Sequence, residues 1–96
     1  MPPANYKVTQ LETVVDEVRS LIARARAEGR IVVFRQALRY LMDELAYDPT
    51  HLGESRARLE SLDQERRITH VRPLAAEFII HEPTRTVTVV RVRLLD

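Results

Sequence analysis

The stretch Glu65–Asp96, ERRITHVRPLAAEFIIHEPTRTVTVVRVRLLD, decides the fold. Alternation of apolar and polar residues, broken by turn residues, predicts three strands in it. The first spans about Arg67–Arg72. The second spans Ala75–His81, with Ala76, Phe78 and Ile80 on one face. HEPTR then turns the chain into a third strand, Thr86–Leu94. In that strand Val87 and Val89 share one parity, while Val90, Val92 and Leu94 share the other. Such a change of parity marks either a strand apolar on both faces or a β-bulge near Val89-Val90.

Upstream, the period changes. NYKVTQ alternates, with Tyr6 and Val8 on one face and Lys7 and Thr9 on the other, and predicts a short strand. Thr9 and Glu12 have the spacing of a capping box. Leu11, Val14, Val15, Val18, Leu21, Ile22 and Ala25 then form an apolar stripe at helical spacing, ending at Gly29. Glu12, Asp16 and Glu17 lie early in this helix and Arg19, Arg24 and Arg26 later, which complements its dipole. A second helix is expected over Val32–Tyr47, with Phe34, Ala37, Leu38, Leu41, Met42 and Leu45 as its stripe. Asp48-Pro49 ends it, because a residue before proline avoids helical geometry. THLGESRARLESLDQE reads as a polar connection in which Leu59 and Leu62 add one helical turn. The expected order is β-α-α-β-β-β, a single α+β domain over residues 1–96 with a helical hairpin on a small antiparallel sheet.

Composition bounds the chemistry. The 96 residues suffice for one domain with a thin core. With no cysteine, neither a disulfide nor a thiolate metal site can form. His51, His70 and His81 have no i, i+4 partner, and the two glycines build no phosphate loop, so no metal and no cofactor are expected. No apolar run approaches the roughly 20 residues of a membrane span, and the start lacks a basic-then-apolar signal pattern. The expectation is a soluble, cytoplasmic protein without membrane contact.

Net charge is +1, yet 14 of the 15 cationic side chains are arginine. Residues 65–96 carry six arginines against four acids. Arginine makes planar, bidentate contacts to phosphate and carboxylate. Arg66, Arg67, Arg72, Arg91 and Arg93 are therefore the candidate residues for binding nucleic acid or another anionic target. Arg91 and Arg93 alternate and share one face, and strands about 4.8 Å apart could bring the others beside them. The plainer reading is the wet face of a half-buried sheet. His70, on the same strand as Arg67, is read first as a surface residue.

With these elements in order, the chain resembles the RelE/ParE superfamily of small toxins from type II toxin–antitoxin pairs. The resemblance rests on LAYDP closing the helical hairpin, Gly53-Glu54 after it, RRI at Arg66–Ile68 opening a strand, and the terminal EFIIHEPTRTVTVVRV hairpin. It implies a toxin-like protein that binds DNA gyrase, as in the ParE branch, or the ribosome and its mRNA, as in the RelE branch. It also implies a cognate antitoxin that covers the sheet face and hairpin with an amphipathic helix or an added strand. For the ribonuclease branch it implies an arginine a few positions before the strand aromatic and basic residues, His or Tyr at the end of the last strand. Here the aromatic is Phe78, Ala75 stands three before it, and the chain ends RVRLLD. A missing general acid or base costs about 10²–10⁴ in rate. A ribosome-dependent mRNA endonuclease would rest on a reduced set drawn from Arg66, Arg67, His70 and Arg91. Another alternative is a non-toxic interaction module, self-associating as a homodimer through an unprotected edge of the valine-rich last strand.

Overall fold

The computed structural model describes residues 5–95. Its elements are β1 (Lys7–Gln10), α1 (Glu12–Ala27), α2 (Ile31–Tyr47), β2 (Glu54–Leu59), β3 (Gln64–Val71), β4 (Leu74–His81) and β5 (Thr86–Leu94), with short 3-10 turns at Pro49–His51, Glu60–Leu62 and Glu82–Thr84. The strands form one five-stranded sheet in the order β1-β5-β4-β3-β2. The α+β architecture with a helical hairpin on a sheet is the one expected from the sequence.

Three details differ. The sheet is mixed: β1 pairs with β5 in parallel, Val8 opposite Val87, while every other pair is antiparallel. A parallel partner needs a long crossover, and here everything from α1 to β4 lies between the two strands in sequence. The connection after the second helix contains a strand, β2, with all six residues exposed. It pairs along one side only and lies at the sheet edge, so ESRARL shows no buried alternation, and Glu54, Arg56 and Arg58 keep that edge charged. Its tail, Glu60–Leu62, is the helical turn expected around Leu59 and Leu62, in 3-10 form. The capping box does not form. The helix N-cap is Leu11, without a side-chain cap, and the Thr9 hydroxyl instead lies 3.2 Å from that of Thr88 across the parallel pair.

The core lies between the helices and one sheet face. Phe34, Ala37, Leu41 and Leu45 of α2 are buried against Leu74, Ala76, Phe78, Ile80, Val87, Val89, Val92 and Leu94. The stripe of α1 is used less fully: Val14 and Ala25 are buried, Val18, Leu21 and Ile22 partly so, and Leu11 and Val15 remain exposed. The turn between the helices uses Gly29 at φ 72°, a left-handed position that glycine adopts without steric cost.

Of the two readings of the last strand, apolar on both faces or bulged near Val89-Val90, the bulge is the one present. Glu77 pairs with Arg91 and Phe78 with Val89, leaving Val90 as the extra residue. The inserted residue reverses the facing parity of β5. Val87 and Val89 face the core before it, and Val92 and Leu94 face the same core after it. Arg91 and Arg93 consequently turn to the opposite face.

β5 lies between β1 and β4, which leaves only its second half without a strand neighbour on one side. Its backbone is paired on both sides for its first half, and the Val92 amide beyond β1 is bonded by Glu17 of α1. Among the described residues, no helix is long and apolar enough to cross a membrane, and no group of three or more His, Asp or Glu could hold a metal ion.

Candidate anion-binding face of the sheet

The sheet face away from the helices carries the candidate site. Strand register defines it row by row. Arg66 of β3 stands opposite Ile79 of β4 and Ala57 of β2. Ile68 stands opposite Glu77, which stands opposite Arg91. His70 stands opposite Ala75, which stands opposite Arg93. Arg66, His70, Arg91 and Arg93 therefore share one face and are all exposed.

Two of the sequence candidates do not join them. Arg67 points to the helix side, since its neighbour in register is the fully buried Phe78. Its Nε donates to the Leu52 carbonyl and its Nη2 to the Gly53 carbonyl, both at 2.9 Å, and Glu65 lies 3.3 Å from Nη1. With a side chain 13% exposed, Arg67 pins the segment entering β2. Consecutive strand residues face opposite sides, so the Arg66-Arg67 pair could never have served one surface. Arg72 does not lie on a strand. It sits in the tight turn between β3 and β4, exposed, where the Arg72-Pro73 bond is cis.

The structure adds a residue that the sequence reading did not single out. Glu77, its side chain 18% exposed, lies at the centre of the arginine face. Arg66 Nη2 donates to Glu77 Oε2 in a charge-assisted hydrogen bond. That bond is the main cause holding the Glu77 carboxyl below its ordinary range, and the nearby charges of Arg66, Arg91 and Arg93 act in the same direction against partial burial. One guanidinium, that of Arg66, is bonded to the Glu77 carboxylate, and Arg91, opposite Glu77 in register, and Arg93 lie near enough to add their charge. The only sequence signal was a lone acid inside the apolar run AAEFIIH, and recognising its partners requires the sheet order and the Val90 bulge.

Next to this cluster, Ala57, Leu59, Gln64, Arg66 and Ile79 line a shallow groove of about 190 Å³. Its walls are mostly apolar, and Arg66 is common to the groove and the Glu77 cluster. Leu59 and Leu62 remain exposed at this end of the sheet. The face can bind an oxyanion through planar guanidinium donors and seat an apolar or flat group beside it.

The fold has a solved counterpart. A chain of the crystal structure of the archaeal RelE-RelB complex from Pyrococcus horikoshii OT3 is similar over 94% of this chain and 94% of that chain, with a TM-score of 0.72 and 13% sequence identity. The fold is RelE-like. No protein-family model matches the sequence, and no curated protein does.

Proposed function

We propose that this chain is the toxin-like component of a type II toxin–antitoxin pair, acting in the cytoplasm by binding a cellular target through the open sheet face and neutralised by a cognate antitoxin. The observation that carries the reading is the RelE-like fold over 94% of both chains, the similar chain having been solved in a RelE-RelB complex. The arginine face of Arg66, Arg91 and Arg93 supports an anionic target. Of the two targets, the ribosome with its mRNA suits such a face better than DNA gyrase, because an exposed RNA backbone offers phosphates directly to guanidinium groups. Exposed Leu11 at the N-cap of α1 and Val15 within it, with Leu59 at the end of β2 and Leu62 in the 3-10 turn after it, supply apolar contacts for an antitoxin segment. Expression in a bacterial host, alone and together with the neighbouring gene product, tests the reading. Growth arrest relieved by the neighbour, with a complex recovered from the cells, is the expected result. Harmless expression and no complex would remove it.

A second reading, an mRNA endonuclease with a reduced site, draws on the placement of Arg66, His70 and Arg91 on one face. Arg67 has no part in it, its guanidinium being bonded to the Leu52 and Gly53 carbonyls. Arg66 and Arg91 would stabilise charge on the scissile phosphate, and His70 would be the proton-transfer group. New mRNA ends on translating ribosomes, lost in His70→Ala, would favour this reading. Intact mRNA together with a DNA-damage response would favour gyrase.

A further inference from the structure

We infer that Glu77 is a resident counter-anion of the target-binding face: it occupies the place of a nucleic-acid phosphate among Arg66, Arg91 and Arg93, and a single-stranded RNA must displace it from Arg66 to bind. The inference rests on the proposed role of the open face and adds how that face is held in check. Three observations support it. The Glu77 carboxylate accepts a hydrogen bond from Arg66 Nη2, an interaction of the kind a phosphate oxygen would make with the same fork. Arg91 stands opposite Glu77 in register, and Arg93 adds its charge to the same carboxylate. Arg66 also lines the groove formed by Ala57, Leu59, Gln64 and Ile79, so a phosphate received by Arg66 leaves its nucleotide beside an apolar floor with one amide for a base edge.

The consequence is specificity by competition. A weak or isolated anion does not repay the loss of the Arg66–Glu77 pair. A strand that engages several arginines and fills the groove does. The released Glu77 then faces Arg91 and Arg93, so its charge is not stranded. An acidic peptide could use the same guanidinium groups, but the groove next to Arg66 and its Gln64 amide favour a nucleotide.

The test is binding of a labelled single-stranded RNA oligonucleotide to the full chain, measured by fluorescence anisotropy for the unaltered protein, Glu77→Gln, and Arg66→Ala combined with Glu77→Gln. Glu77→Gln is expected to bind about tenfold more tightly, the scale of one charge-assisted hydrogen bond no longer in competition, and the double variant is expected to lose that gain. An affinity unchanged or weakened in a folded Glu77→Gln would overturn the inference, as would equal tightening toward a polyglutamate peptide. Should Glu77→Gln fail to fold, the unaltered protein decides the matter: RNA must shift the Arg66 Nε–H and Glu77 carboxyl resonances together, and RNA bound with both unmoved contradicts displacement. The assay is independent of growth arrest. Tightening in a harmless protein would leave this inference standing and remove the toxin reading; arrest without tightening would do the reverse.

Discussion

The Glu17 carboxylate of α1 accepts a hydrogen bond from the Val92 amide of β5 at 2.7 Å. That amide lies two residues beyond the Val90 bulge, where β1 has ended and β5 has no strand on that side. The first helix thus supplies an acceptor to the backbone of the segment that carries Arg91 and Arg93. The contact links the fold to the candidate surface, because the bulge is what turns those arginines away from the core.

Replacing Glu17 with Ala is accordingly expected to destabilise the fold by about 1–2 kcal/mol, the cost of leaving a part-buried amide without its acceptor. Glu17→Gln, which keeps an acceptor oxygen, should lose less. Urea unfolding checks this: the midpoint should fall with little change in slope.

The two adjacent arginines of β3 should behave differently. Arg67→Ala removes the donors to the Leu52 and Gly53 carbonyls and is expected to cost about 1.5–3 kcal/mol. Arg66, itself half-exposed, should cost less, about 1 kcal/mol, on replacement by Ala. Equal losses in thermal or urea unfolding would contradict the assignment of the two side chains to opposite faces.

Gly53 is at φ 63°, and a Cβ built there would lie 1.9 Å from the Ile68 carbonyl oxygen. Gly53→Ala therefore has to move β2 away from β3. A loss of about 2–4 kcal/mol is expected, with the groove next to Arg66 disturbed as well. A melting temperature equal to that of the unaltered protein would refute the close approach of the two strands.

The Arg66 hydrogen bond, reinforced by the Arg66, Arg91 and Arg93 charges, lowers the Glu77 carboxyl below its ordinary value of 4.5. A carboxyl lowered in the folded state contributes stability that is complete above the unfolded value and is lost as pH falls through the folded one. Stability should thus decline below about pH 4.5, and Glu77→Gln should make that decline shallower. An identical acid profile in the variant would show that the arginines do not hold the carboxylate.

The sequence carried the helices and the three terminal strands because their apolar periods are long and each buries a face. The Val90 bulge was half legible: the change of apolar parity between Val89 and Val92 allowed either a bulge or a strand covered on both faces, and the helices packing on one sheet face decide between them. β2 was not legible: a fully exposed edge strand has no apolar alternation to read. The parallel pairing of β1 depended on where β5 sits in the sheet, which local patterning does not encode. In the candidate site, the shared face of Arg91 and Arg93 followed from period two. The same rule separates Arg66 from Arg67, though treating them as one basic pair obscured it. Glu77 gains its meaning only through three strands brought into register.

The most direct test of the central claim compares growth arrest by the unaltered protein with that of the triple variant Arg66→Ala, Arg91→Ala, Arg93→Ala, after circular dichroism has shown that both are folded. The account predicts arrest by the first and near-normal growth with the second, since target binding depends on these three side chains. Arrest of equal strength by the folded triple variant would contradict it and place the working surface elsewhere on the molecule.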